Sequence, residues 1–215
     1  MTTVLLSASL TLSDLYTRIA REIHRSDLST DIQTSVNRAI KFYQARRMAF
    51  NTVRSSLTTT AGTEYYSTAT AAPSTLPSDI GQIDRIVITV GTRLCPLGER
   101  TPVEMDELAS DTTTRQEPSL YSFYGGELRL YPIPDAAYTL TISYLRKQDA
   151  DATSSVWTNE AEDLICHAAK KRIYRDVLLD AEGASLCAQA EVDEYKRLLR
   201  DACQLSTGGL VGSGW

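Results

Sequence analysis

Residues 120–144 read LYSFYGGELRLYPIPDAAYTLTISY, and this segment decides the fold class of the chain. Two runs rich in aromatic and branched residues flank Gly125-Gly126, which is typical of a β-hairpin with a tight turn. The proline-containing residues 132–135 then turn the chain again. Between Tyr138 and Tyr144, apolar residues alternate with Thr and Ser, which predicts a strand with one buried face. The middle of the chain is therefore predicted to be antiparallel β structure.

The residues before this segment carry further strand patterns. Residues 53–60 and 64–67 are rich in β-branched and aromatic residues, and we expect them to form a strand pair around a turn at 61–63. Residues 83–90 and 93–97 lie on either side of a glycine, which predicts a second hairpin. Together these patterns predict about five to seven strands in the central part of the chain.

Helical patterns occupy the two ends of the chain and one short segment in its middle. Apolar residues recur at three- and four-residue steps in residues 13–25 and 30–47, which predicts an antiparallel helical hairpin. A helix from Asn159 and a last helix after Gly183 show the same steps. Thr101-Pro102-Val103-Glu104 is a capping-box sequence with proline at the first helical position, so we expect a short helix there.

This segregation of helices and strands predicts an α+β fold. We expect the N- and C-terminal helix pairs to form a helical bundle, with a β-rich antiparallel insert projecting from it. The predicted organisation is an N-terminal helical hairpin in residues 1–50, the β-rich insert in 51–147, C-terminal helices in 148–205 that pack with residues 1–50, and a C-terminal tail in 206–215.

Composition narrows the classes of function. The chain has 215 residues, a formal net charge of -5 and 42% hydrophobic residues, which is typical of a globular protein with a core. No stretch approaches the roughly 20 consecutive apolar residues that a membrane helix needs, so we expect no membrane partner. The densest basic runs are Arg46-Arg47 and residues 170–172, and both are short. An acidic chain with such short runs argues against a DNA-binding terminator protein.

The sequence offers no motif for a catalytic, cofactor or metal site, so we predict none of the three. The histidines His24 and His167 are far apart in sequence, and His167 and its neighbour Cys166 point about 100° apart on a helix. Carboxylates in residues 160–163 cluster where a helix should begin, which the helix dipole explains without a metal. We expect reduced thiols at all four cysteines, Cys95, Cys166, Cys187 and Cys203. A hydrolase built from carboxylates distant in sequence stays open as an alternative.

A set of short motifs between residues 52 and 146 resembles one family. In chain order the motifs are Gly62-Thr63-Glu64-Tyr65-Tyr66, Leu76-Pro77-Ser78-Asp79, an Ile/Val strand, Pro118-Ser119-Leu120-Tyr121, Leu128-Arg129-Leu130-Tyr131-Pro132-Ile133-Pro134-Asp135 and the strand from Tyr138 to Tyr144. With helices on either side, this order resembles the head-to-tail adaptor, or head-completion, proteins of tailed bacteriophages. Each motif alone is common, and their order and spacing over nearly the whole chain carry the resemblance.

The resemblance implies a structural virion protein and not an enzyme, made in the host cytoplasm and placed at the head-tail junction. It implies a homo-oligomeric ring, commonly a dodecamer, docked between the portal protein and a tail or nozzle protein. Packaged DNA would pass through the channel of this ring without specific binding. The acidic charge favours that passage, because adhesion to DNA needs phosphate neutralisation. A tail-tube or nozzle component is the alternative within the structural class.

The C-terminal tail is the candidate docking segment. The resemblance implies an extended C-terminal segment that reaches the portal, and residues 206–215 contain four glycines together with the apolar residues Leu210, Val211 and Trp215. The glycines would provide a flexible tether, and the apolar residues, above all the tryptophan, would anchor it on the portal protein. A disordered end is the alternative.

Overall fold

The computed structural model of the protein describes four stretches of the chain, residues 10–68, 76–109, 113–147 and 156–206. The chain divides into two compact units. The first, here called the helical unit, combines Met1–Asn51 with Gln148–Trp215, and the second, the β unit, is Thr52–Lys147. The α+β fold predicted from the sequence is confirmed, with a helical part built from both ends of the chain and a strand-rich part inserted between them.

Six helices and eight strands are formed by the described residues. The helices are α1 (Leu12–Glu22), α2 (Ser29–Tyr43), α3 (Pro102–Leu108), α4 (Val156–Glu160), α5 (Glu162–Asp176) and α6 (Ala181–Ser206). The strands are β1 (Thr52–Thr58), β2 (Tyr65–Ser67), β3 (Ile80–Val90), β4 (Arg93–Pro96), β5 (Gly98–Glu99), β6 (Leu120–Tyr124), β7 (Glu127–Tyr131) and β8 (Thr139–Arg146). Relative to the sequence prediction, the very short β5 is an additional strand.

The helical unit is organised around α5, which contacts α1, α2, α4 and α6. Its core includes Ile19 from α1, Val36 from α2 and Ile165 from α5, all essentially inaccessible to water. Trp157 of α4 is buried in the same core, where its ring meets the ring of Phe50 edge-on at a centroid distance of 5.0 Å. Because the core draws residues from both chain ends, neither end can bury its apolar face by itself.

The β unit consists of two four-stranded sheets that share one hydrophobic core. The strand orders are β1-β8-β3-β4 and β2-β7-β6-β5, with antiparallel pairing everywhere except between β5 and β6. Ile86 of β3 and Ile142 of β8 are register partners in the first sheet. They share the core with Leu128 and Leu130 of β7 in the second sheet, and all four side chains are fully buried. The two sheets therefore pack face to face as a sandwich.

The turn between β6 and β7 confirms the hairpin predicted from the sequence. Gly125 and Gly126 both have positive φ, at 62° and 86°, as a two-residue turn matched to the right-handed twist of the strands requires. The capping box predicted for α3 is also present. The Thr101 side chain accepts from the backbone N–H of Glu104, whose carboxylate accepts in turn from the Thr101 backbone N–H.

The predicted strand pair at residues 53–67 is wrong in its pairing. β1 pairs with β8 and β2 pairs with β7, so the turn between them carries the chain from one sheet to the other. Backbone bonds fix this crossing, since the N–H of Thr59 donates to the carbonyl of Tyr138 and the N–H of Gly62 donates to that of Pro134. A strand–turn–strand pattern is the same for a hairpin and for a sheet crossing, which is why the sequence alone misled.

The predicted role of Gly183 as the break before the last helix is also wrong. The break lies at residues 177–180, where Leu179 has a φ of 53°, and Gly183 is in the first turn of α6. Asp180 caps that turn by accepting from the backbone N–H of Gly183 at 3.0 Å. A Cβ at position 183 would lie 2.6 Å from the capping carboxylate of Asp180 and 3.0 Å from the ring of Tyr174, so a larger residue there would have to displace both side chains.

Candidate assembly surfaces

The predicted docking residues Leu210, Val211 and Trp215 lie outside the described residues, as does nearly all of the 206–215 tail. Three features of the described residues are candidates for function. They are a charged cluster between α1 and α5, a cationic cleft between α2, α5 and α6, and the outer face of α3.

The two histidines lie on different elements of the helical unit. His24 follows α1 in a left-handed conformation with a φ of 53°, contrary to its predicted helical position, and its side chain is exposed. His167 lies on α5, where its Nδ1 is buried without a hydrogen-bond partner. Within the described stretches no group of three or more His, Cys, Asp or Glu side chains is placed to hold a metal ion.

Arg18 of α1 is the centre of the charged cluster. Its guanidinium contacts Glu22 at 2.8 Å, Glu162 at 2.6 Å and Asp163 at 2.7 Å. Lys170 of α5 binds the other carboxylate oxygen of Glu22 at 2.6 Å. The carboxylates that the sequence analysis assigned to the start of a helix thus have a second role, because they fix α1 against α5.

Electrostatics within this cluster disfavour nucleophilic chemistry. Cys166 donates its thiol to Glu22 at 3.5 Å, and burial raises the pKa of the thiol to about 12. A thiol with this pKa is not a thiolate at neutral pH and is a poor nucleophile. Burial also lowers the pKa of His167, with a further contribution from the positive charge of Lys170. The cluster is therefore a structural joint between the N-terminal and C-terminal helices.

Glu22 should make the stability of the helical unit pH-dependent. Burial raises the pKa of Glu22, but the hydrogen bonds from Lys170 and Arg18 outweigh it and hold the pKa at about 2, against 4.5 in the unfolded chain. The contribution is fully present above pH 4.5 and is lost as the pH falls towards 2, because protonation then breaks both ion pairs.

We expect Glu22→Gln to remove most of this acid sensitivity. The wild-type protein should lose on the order of 1–2 kcal/mol through this group between the two pKa values, after allowance for solvent screening. Urea denaturation at several pH values, followed by circular dichroism, measures the difference. Glu182→Gln on α6, an exposed carboxylate, is the matched control and should keep the wild-type pH profile. Equal acid sensitivity in wild type and Glu22→Gln would contradict the assignment.

A cleft of about 240 Å³ opens between α2, α5 and α6. Its lining combines aromatic, small and basic side chains, Ala39, Phe42, Tyr43, Ala168, Lys171, Arg172, Arg175 and Glu191. Three of these side chains are cations and one is a carboxylate, so the cleft is cationic although the whole chain is acidic. Phe42 is half exposed at its edge, with the guanidinium of Arg46 4.8 Å from the ring centroid.

The wall of the cleft is ordered by one buried carboxylate. Glu191 of α6 is only 6% exposed and accepts from the hydroxyl of Tyr43 at 2.5 Å. Its second oxygen is ion-paired with Lys171. Arg175 pairs with its exposed neighbour Asp176. Among the three cations that line the cleft, Arg172 forms no ion pair with any residue in the described ranges and is available to a partner.

The outer face of α3 is the third surface. Met105 and Ala109 are buried, and Asp106 pairs with Arg129 of β7, so this side of the helix faces the second sheet. The opposite side exposes Val103 at 68% and Leu108 at 46%, together with the carboxylates of Glu104 and Glu107. These four positions are related by steps of one and four residues and share one side of the helix. The outer face of α3 is therefore apolar and acidic.

The cleft was not predicted from the sequence. There, residues 170–172 are only a short basic run, whereas in the structure Lys170 pairs with Glu22 and Lys171 with Glu191. Which of these three basic residues forms an ion pair depends on which helices flank α5, and the local sequence does not specify that arrangement. The outer face of α3 had a visible signal, because the apolar residues at positions 103 and 108 are each adjacent to a glutamate.

Exposed surfaces that combine apolar and charged side chains are typical of proteins that assemble with other chains. A sequence model of the family described as SU10 adaptor protein matches residues 10–209. Because this match spans nearly the whole chain, the protein belongs to the SU10 adaptor protein family. The family expected from the short motifs is confirmed, and the chain is a structural adaptor protein of a bacteriophage.

Two further findings accompany this assignment. No curated protein matches the chain. Among the helices in the described residues, none is both long and apolar enough to cross a membrane. Membership of an adaptor family implies association with other virion components and a location in the virion.

Proposed function

We propose that this protein forms a homo-oligomeric ring, a dodecamer by analogy with similar adaptors, that joins the portal protein to a tail or nozzle protein and extends the DNA channel. The observation that carries the proposal is the family match over residues 10–209. Its action is assembly and not catalysis, with packaged DNA passing through the ring.

The helical unit supports the proposal by its construction. α6 is 26 residues long, or about 39 Å at the rise of an α-helix, and it packs along α5. The Arg18 cluster ties α1 to α5 in the same unit. A connector has to transmit force between head and tail. A bundle whose core is shared by helices from both ends of the chain suits that task, because pulling on one chain end does not by itself unfold it.

The net charge is consistent with passage of DNA. Acidic residues outnumber basic ones by 27 to 22 in the chain, and every copy in a ring adds the same excess. DNA adheres to proteins through clustered Lys and Arg that release counterions from the phosphates. The cations of the cationic cleft are partly neutralised by Glu191 and Asp176, so the cleft offers no continuous basic stripe.

The 206–215 tail is proposed to dock on the portal protein, with Leu210, Val211 and Trp215 as the binding residues. Truncation after Leu205 should leave the circular dichroism spectrum largely unchanged and abolish capping of purified portal rings in electron micrographs. An anchor of this kind contributes about 2–4 kcal/mol per copy, which corresponds to roughly 30- to 1000-fold in affinity. Trp215→Ala alone should weaken binding in the same direction.

A matched control for the truncation is Leu186→Ala, an exposed apolar residue on α6. It should cap the portal as the wild type does. If truncated chains still cap the portal, the tail is not the docking segment. If neither truncated nor full-length chains bind the portal, the ring position fails, and a place further along the tail becomes the better account.

A further inference from the structure

We infer that the cationic cleft of one copy receives the outer face of α3 from a second copy. This inference rests on the proposed function, since it names the contact between neighbours in the ring. The two surfaces belong to different units of the chain, so the contact joins two unlike patches. Each copy can donate α3 to one neighbour and receive α3 from the other, and such head-to-tail contacts are the ones that close into rings.

The size of the cleft favours a protein side chain over a small molecule. Its volume of about 240 Å³ is below the roughly 300–1,000 Å³ of typical ligand pockets. One or two inserted side chains suit this space better than a cofactor does. The half-exposed ring of Phe42 at its edge offers an apolar contact for them.

Charge decides which surface of a second copy fits. Arg172 and Arg175 line the cleft, and Glu107 on α3 forms no ion pair with another residue of the described chain. Opposite charges that meet at an interface fix its register and exclude wrong partners. Glu104 is engaged in the cap of α3, whereas Arg172 and Glu107 have no ion-pair partner among the described residues, and we expect them to pair across the interface.

Apolar complementarity supports the same docking. Val103 and Leu108 flank the carboxylates on the outer face of α3 and expose 68% and 46% of their surface. Large apolar side chains this exposed on one helix are best explained by a partner that covers them. Phe42 and the aliphatic stems of the cleft arginines are the apolar surface that they would cover.

Charge reversal in the full-length chain tests the inference. Arg172→Glu and Glu107→Arg should each weaken self-association by at least about tenfold, because like charges then face each other. The double variant Arg172→Glu/Glu107→Arg should regain most of the wild-type association, since each new glutamate meets the neighbour's new arginine. Sedimentation velocity measures association of the free protein, and electron microscopy counts the copies on the portal.

Matched controls separate the interface from general charge effects. Arg200→Glu on α6 and Glu127→Arg on β7 change exposed charges outside the two surfaces and should associate normally. Val103→Ser should also weaken association, whereas Leu94→Ser, which alters an equally exposed residue on β4, should not. Arg172 is half-buried and the other substituted residues are exposed, so circular dichroism of every variant is needed to check that it folds.

Three outcomes would overturn the inference. In the first, rings form on the portal but the charge reversals leave them unchanged. In the second, the single reversals weaken association and the double variant does not recover. The proposed function fails by a different result. In that case the wild-type and double-variant chains self-associate as expected, but neither binds the portal. If Arg172→Glu abolishes portal capping without affecting self-association, the cleft serves another virion protein, and the inference is wrong.

Discussion

Replacing Trp157 with alanine should lower the free energy of unfolding of the helical unit by about 3–5 kcal/mol. The side chain is 1% exposed and lies in the core formed by both chain ends, with the ring of Phe50 edge-on at 5.0 Å. Its removal deletes the largest apolar side chain of that core and leaves a cavity that the flanking helices cannot fill without moving. Typical domains are stable by only about 5–15 kcal/mol, so the loss is a large fraction of the total.

Urea denaturation followed by circular dichroism at 222 nm, about where helices dominate the signal, measures this loss. The matched control in the same unit is Leu186→Ala, whose side chain is 64% exposed on α6. It should change the free energy of unfolding by no more than about 0.5 kcal/mol. A loss below about 1 kcal/mol for Trp157→Ala would mean that the two chain ends do not share a core around this residue.

In the β unit, Ile86→Ala and Ile142→Ala should each cost about 2–5 kcal/mol. The two residues are register partners on β3 and β8, and both are fully buried between the sheets. Each truncation removes three methyl or methylene groups from contacts that the opposite sheet cannot replace. Because the side chains are neighbours, the double variant should lose less than the sum of the single losses, as the second deletion enlarges an existing cavity.

A double-mutant cycle in urea, followed by a strand-sensitive signal, tests this arrangement. Val87→Ala is the control on the same strand, because Val87 points to the opposite, half-buried face of the sheet. It should cost clearly less than Ile86→Ala. If Val87→Ala proves as costly as Ile86→Ala, or if the two isoleucine losses are fully additive, the register of β3 against β8 is different from the one described.

Local patterns predicted those elements whose shape is set by neighbouring residues. The Gly125-Gly126 turn needs two residues with positive φ, and few residues other than glycine adopt that conformation readily. The cap of α3 is closed by Thr101 and Glu104, which are three residues apart. Period-two alternation likewise marked β8 as a strand with one buried face. In each case the chain carries both partners of the interaction within a few positions.

Local patterns of this kind do not show which strands pair when the partners are far apart in sequence. The turn after β1 gives no sign that it crosses between sheets, because the partners of β1 and β2 lie sixty or more residues further along the chain. The candidate surfaces show the same limit. Arg172 belongs to the cleft only because α2 and α6 flank α5, whereas Val103 and Leu108 could be recognised as exposed once α3 was predicted.

Electron microscopy of the junction between head and tail in intact virions tests the central claim most directly. The account predicts a closed ring of copies of this chain immediately below the portal, with one helical unit and one β unit in each repeat around an open channel. A virion in which this chain lies elsewhere in the tail, or in which the position below the portal is filled by another protein, would contradict the account.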